Sequence, residues 1–158
     1  MIRRLLVGLA LALTVTCLVV TIVGRSWLHD RAAEEHRRTA VTEAARSAVT
    51  AVLSYDYRSL GTNIASAEPL LTGDAKKQYR EVSAPLLSTA PGIQAITKAT
   101  VRTSTVLSSG PKQAEVLLFV DQTSSSTSLK TPRVDQSRIL VTLTRSGQRW
   151  LVSTLTAV

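Results

Sequence analysis

The sequence is poor in the residues that carry most protein chemistry. Among its 158 residues there is one cysteine, Cys17, and there are two histidines, His29 and His36. One cysteine closes no disulfide within the chain, and two histidines alone fall short of the four ligands that zinc takes. No CxxC, HExxH, G-x-S-x-G or glycine-rich phosphate loop occurs, so no metal, no cofactor and no thiolate chemistry is expected. Aromatics make up 4% of the chain, which leaves Leu, Val, Ile and Ala to build the core. Acidic residues are also in deficit, 11 against 19 Lys and Arg, for a net charge of +8. That balance suits a domain near an anionic membrane or wall polymer. It equally suits an ordinary solvated surface. The basic residues are scattered along the chain rather than clustered, so nucleic acid is not expected as a partner.

One stretch lacks charge altogether. Leu5–Val23 reads LLVGLALALTVTCLVVTIV, flanked by Arg3 and Arg4 before and Arg25 after. A bilayer core takes about 20 mostly apolar residues of helix. The hydroxyls of Thr14, Thr16 and Thr21 can return to carbonyls one turn back, so they do not forbid insertion. A cleaved signal peptide fits worse, because the run is long and the following GRSWLHD offers no A-x-A site. A lipoprotein anchor would want a small residue before the cysteine, where Thr16 stands, and a buried core helix would need a polar face. We therefore expect a transmembrane helix over 5–23, a short cytoplasmic segment over 1–4, a helical stalk over 24–38 and an extracytoplasmic domain over 39–158. Arg3, Arg4 and the amino terminus favour an N-in orientation. Arg31, Arg37 and Arg38 oppose it, but long domains translocate largely regardless of charge.

Beyond the run the chain is long enough for one domain. From Asp30 to Leu53 it lacks glycine and proline and is rich in alanine. Asp30 is placed to cap a helix whose stripe is Val41, Ala45, Ala48, Val49, Val52 and Leu53. Leu60, Ile64 and Leu71 suggest a short second helix, interrupted near Gly61 and Pro69. Thr72 then caps a third, with Ala75, Tyr79, Val82 and Leu86 at helical steps, ended or kinked by Pro85. The period then changes. Thr97–Leu107 reads as a strand with Ala99, Val101, Thr103, Thr105 and Leu107 on one side, and Ala114–Asp121 as a central strand apolar on both faces. After a polar loop at Gln122–Lys130, Arg138–Thr144 and Arg149–Thr156 form two more strands joined at Ser146-Gly147. Helices and strands in separate blocks mean an α+β fold: about three helices packed on a curved antiparallel four-stranded sheet, a cone with an open mouth.

Only one group of side chains could do acid–base chemistry, namely Tyr55, Asp56 and Tyr57 with Asp121. A buried carboxyl beside a tyrosine can polarise a carbonyl and move a proton. The competing reading has both tyrosines packing at the end of a helix and Asp56 facing water. Trp150, at the start of the last strand, is expected to be a core anchor rather than a ligand contact.

The runs VLSYDYRSLGTNI, LLTGDAKKQY, AEVLLFVDQT and VTLTRSGQRWLVSTL resemble those of the Mce-associated membrane proteins, where Mce denotes mammalian cell entry. The resemblance implies a fold similar to nuclear-transport-factor-like cones and to the inner-membrane scaffold of type IV secretion machines. It also implies a single-pass accessory role in actinobacterial lipid import, without catalytic residues. With only residues 1–4 before the apolar run, any cytoplasmic interaction segment found in longer relatives is expected to be lacking here. Two readings follow. In the first, the chain is a non-enzymatic scaffold that assembles or stabilises an Mce-type lipid importer through its protein subunits. In the second, it is a membrane-tethered small-ligand or lipid binder, or an isomerase-like enzyme, using the cone pocket.

Overall fold

The computed structural model describes residues 31–158. The Leu5–Val23 span, the Asp30 cap, His29 and Cys17 lie outside the described residues. Among the described residues no helix is long and apolar enough to cross a membrane. The chain divides into two compact units, Met1–Arg37 and Arg38–Val158. In the first, Glu34 forms an ion pair with Arg37 one helical turn on. The second holds the fold described next.

Residues 31–53 are helical (α1), as a stretch rich in alanine and free of helix breakers should be. The predicted stripe is its inner face, since Val41, Ala45, Ala48 and Val49 are fully buried. The chain continues as β1 (Tyr55–Asp56), α2 (Leu60–Ala67), a 3₁₀ turn (Glu68–Leu70), α3 (Gly73–Thr89), β2 (Ile96–Ser109), β3 (Gln113–Ser125), β4 (Arg133–Ser146) and β5 (Arg149–Ala157). The strands form one antiparallel sheet whose spatial order is the chain order. The fold is thus α+β, with five strands rather than the expected four. The extra one, Tyr55–Asp56, pairs with Ile96 and Thr97 only. Two residues are too short to show a period of two.

Three further expectations are corrected. Gly61 does not interrupt the second helix, which begins at Leu60, while Pro69 sits in the 3₁₀ turn that follows it. Leu71 leaves the helix and forms a parallel bridge to Val152. Pro85 does not end α3, which runs on to Thr89, where the Ser88 and Thr89 hydroxyls both donate to the Pro85 carbonyl. The expected loop at Gln122–Lys130 is shorter: β3 continues to Ser125 and β4 begins at Arg133. Thr123, Ser124 and Ser125 are strand residues, and Thr97 Oγ1 and Ser124 Oγ lie 3.0 Å apart across the β2–β3 pair.

The faces of β2 also differ from the alternation. Ala99 and Val101 point to the helices and are buried, but the register slips between Val101 and Thr103. Arg102 is the extra residue of this β-bulge. Beyond it the parity inverts, so Thr103 and Thr105 face outward while Ser104 and Val106 are the less exposed pair. A second slip follows between Val106 and Ser108, and Leu107 is 55% exposed.

The core lies between α1 and the inner sheet face. Ala114, Val116, Leu118 and Val120 of β3 and Ile139, Val141 and Leu143 of β4 meet Val41, Ala45, Ala48 and Val49 of α1 in one cluster. Trp150 and Val152 of β5 belong to the same cluster. On the β2 edge, where β1 ends, α1 and the residue after it supply partners for the open backbone. The Arg46 guanidinium donates to the Val101 carbonyl at 3.1 Å, and the amide of Ala99 donates to the Ser54 hydroxyl at 2.9 Å. On the β5 edge, the Thr72 amide donates to the Val152 carbonyl at 2.8 Å. Gly73 then takes φ +53° as the chain turns from that bridge into α3, a conformation open to glycine without strain. Thr72 holds the cap position, although its hydroxyl makes no capping bond.

Candidate functional site

A pocket of about 350 Å³ opens between the end of α1, α2, α3 and the inner face of the sheet. Leu60, Leu71, Ala75 and Ser83 are buried in its wall, and Gln78 and Val82 are exposed at its surface. The helical face Ala75–Tyr79–Val82–Leu86 read from the sequence is one side of this pocket. Its polar groups are hydroxyls and amides: Ser54, Tyr55, Gln78, Tyr79, Ser83 and Gln122. The Ser83 hydroxyl is satisfied by the Arg80 carbonyl at 3.3 Å. Among the described residues, none lining the pocket carries a formal charge at neutral pH.

The four residues singled out from the sequence do not converge. Tyr55 lines the pocket. Tyr57 is not among the pocket residues; like Tyr55 it packs against a small cluster of Leu60, Ala90 and Ala95, and its amide donates to the Ala95 carbonyl at 3.1 Å. Asp56 is held by Arg58, whose Nε donates at 2.9 Å and 3.1 Å to the two carboxylate oxygens and whose amide donates at 2.9 Å. Those bonds, above all the side-chain ones, lower the Asp56 carboxyl to about 2. Asp121 lies across the sheet. Its β3 neighbours Val120 and Leu118 are buried against the helices, so strand alternation turns Asp121 to the opposite face. There Arg102 Nε donates to it at 2.5 Å and Gln136 Nε2 at 3.1 Å. The bulge at Arg102 brings that guanidinium onto the outer face.

The Asp56 carboxyl gives a direct test. Its folded pKa lies below the ordinary carboxylate value of 3.8, so the Arg58 contact contributes above that value and is lost as the pH falls towards 2. A carbon-13 titration of the Asp56 carboxyl should show a midpoint near 2, returning towards 3.8 in Arg58→Gln. A midpoint near 4 in the parent protein would contradict the pair.

Near the pocket, Glu68 ties the 3₁₀ turn to α3, accepting from Arg80 Nε at 2.8 Å and lying 3.5 Å from Lys76 Nζ. The Arg80 bond, then the Lys76 contact, holds its carboxyl below the usual range. Burial, and to a lesser degree the Glu68 charge, raises the Tyr79 phenol above its ordinary value, so Tyr79 is a neutral hydroxyl at physiological pH. Among the described residues no group of His, Cys, Asp or Glu is assembled to hold a metal ion. The arrangement can enclose an apolar group and meet it with neutral hydrogen-bonding groups. Sequence reasoning placed Tyr55 but missed Val52, Leu53, Gln78, Gln122 and Leu155 as pocket residues.

A curled antiparallel sheet with helices packed on its inner face, and a pocket between them, defines a nuclear-transport-factor-like α+β cone. The fold is shared with an IcmL-like type IV secretion system protein from Legionella pneumophila (TM-score 0.62, 12% identity, 77% of this chain and 90% of that one). The periplasmic domain of DotI is similar at TM-score 0.64 and 14% identity, over 76% of this chain and 94% of its own. A candidate aromatic ring hydroxylase from Novosphingobium aromaticivorans shares the fold too, at TM-score 0.56 and 12% identity, over 78% and 94%. At such identities the likeness is one of fold. The chain itself belongs to the family described as "Uncharacterized protein Rv1363c/MT1408-like", whose model matches residues 5–158. The Mycobacterium tuberculosis protein Rv1362c is 29% identical over 130 residues, 82% of this chain. The chain spans 59% of the length of that relative.

Proposed function

We propose that this protein is a single-pass, membrane-anchored accessory subunit whose extracytoplasmic cone assembles or stabilises an Mce-type lipid import complex. The anchor is Leu5–Val23, with the N-terminus in the cytoplasm. Three things support the reading: the resemblance carried by VLSYDYRSLGTNI, LLTGDAKKQY and VTLTRSGQRWLVSTL, the fold held in common with the DotI periplasmic domain, and the positions of the acids. The last carries most weight. An isomerase-like cone needs a carboxyl directed into its pocket, whereas Asp121 is bonded to Arg102 and Gln136 on the outer face and Asp56 is bonded to Arg58. What this domain offers a partner is its surfaces.

The test is lipid uptake in cells lacking the native copy, complemented with variants. Asp56→Asn and Asp121→Asn keep shape and remove charge, and uptake should stay within about twofold of the parent. A catalytic acid or base would lose roughly 10²-fold or more. Replacing Leu5–Val23 by a cleavable signal should abolish uptake, because it discards the confinement that raises the effective concentration near a membrane partner. Tagged protein taken up in mild detergent should carry Mce subunits with it. Loss of uptake in either asparagine variant, with the protein folded, abundant and partner-bound, would sink the scaffold reading.

A further inference from the structure

From the pocket between α1, α2, α3 and β5, we infer that the cone binds a single acyl chain, with the methyl end inside. The inference rests on the pocket alone and stands if the assembly reading fails.

Size comes first. Ligand sites have volumes of roughly 300–1,000 Å³ and bury most of the ligand. The pocket holds about 350 Å³. A methylene group is close in size to a water molecule, whose share of liquid volume is about 30 Å³, so the space takes roughly ten to twelve methylenes in single file. That is most of a common fatty acyl tail and too little for two.

Chemistry selects the same class. Leu53, Ile64, Leu71, Val82, Leu86 and Leu155 supply the walls. A charged group would enter uncompensated, because among the described residues none lining the pocket bears an opposite charge, and burying an isolated charge costs far more than the walls return. The protein around this lining is basic and strewn with ion pairs, among them Glu68 with Arg80 and Lys76 on the adjoining turn and helix. The neutral amides of Gln78 and Gln122 can meet an ester or amide linkage, and they cannot neutralise a carboxylate or a phosphate. A headgroup of that kind stays in water while the tail is enclosed. Val82 is 67% exposed, an apolar side chain standing in solvent where the tail would cross the surface and cover it.

The experiment uses the full chain with phosphatidylcholine vesicles that carry a trace of palmitate bearing a diazirine near its methyl end. After irradiation, tryptic peptides are searched for the label. The expected result is labelling of peptides that carry pocket residues, 47–58, 59–76 and 81–98 above all, at least tenfold above peptides of the domain that carry none, such as 39–46, 103–112 and 139–145. Unlabelled palmitate should compete it away. Val82→Trp fills the mouth from an exposed position, and it should lower labelling of residues 47–58 at least tenfold without moving the thermal midpoint. Should that variant misfold, Gln78→Trp, also exposed, serves instead. Labelling restricted to residues 1–30, labelling spread evenly over the domain, or labelling of residues 47–58 that survives both competitor and tryptophan would each overturn the proposal. Vesicle flotation of the same sample reads membrane anchoring separately.

Discussion

Trp150→Ala is expected to lower the unfolding free energy by about 3–5 kcal/mol, the range for truncating a buried aromatic ring. Trp150 follows the Ser146-Gly147 turn and is 9% exposed. It shares one cluster with Val41 and Ala45 of α1 and with Leu71 and Ala75 near α3, and the Arg145 guanidinium lies 6.0 Å from the ring centroid. Removing the ring leaves a void in the cluster it shares with α1 and the sheet, and the cost grows with the part of that void the surroundings do not fill. Denaturant unfolding of the full chain followed by circular dichroism gives the value. An unchanged midpoint would refute burial. Binding at the acyl pocket should survive as long as the protein stays folded, since Trp150 is not among the pocket residues.

Ala45→Glu should have a larger effect and abolish cooperative folding. Ala45 is fully buried and Ala48 is 1% exposed, on the turn where α1 lies against the sheet. A glutamate there places a longer side chain and an unpaired carboxylate between α1 and the strand residues Leu118 and Val141. Overpacking alone costs about 1–3 kcal/mol, and an uncompensated buried charge adds several more. Against a typical domain stability of about 5–15 kcal/mol, the sum is enough to unfold it. Ser47→Glu, two residues on and exposed, should change stability by less than about 0.5 kcal/mol. Sharp melting of Ala45→Glu at the parent temperature would show that α1 does not pack by this face.

Both expectations rest on features visible in the sequence before the structure. The α1 stripe, the change from helical to strand period and the Ser146-Gly147 hairpin are local patterns, set by which residues recur at which spacing. The bulge at Arg102 is not of that kind. It changes no composition, and it becomes visible only when Thr103 is found opposite Phe119. β1 was hidden for a similar reason, since its two residues make a strand only by pairing with Ile96 and Thr97. For Asp121 the signal was present. Ala114, Val116, Leu118 and Val120 share one parity, which puts Asp121 on the other. Leu117 and Phe119 made the strand look apolar on both faces and concealed it. The pocket was half legible. The α3 face supplied Ala75, Tyr79, Val82 and Leu86, whereas Gln122 and Leu155 reach the same space only through the curl of the sheet.

The match between strand order and chain order also bears on how the molecule comes to be folded. Along most of the sheet each strand pairs with its neighbour in sequence, β2 with β3, β3 with β4 and β4 with β5. Such pairings close through turns of a few residues, and the entropic cost of closing a loop rises with its length. The meander can therefore zip hairpin by hairpin without waiting for distant segments. α1 is different, because its partners Leu118 and Val141 lie far along the chain. The first helix of the domain to be synthesised is thus among the last to find its place, and its alanine-rich inner face stays uncovered until the sheet is built.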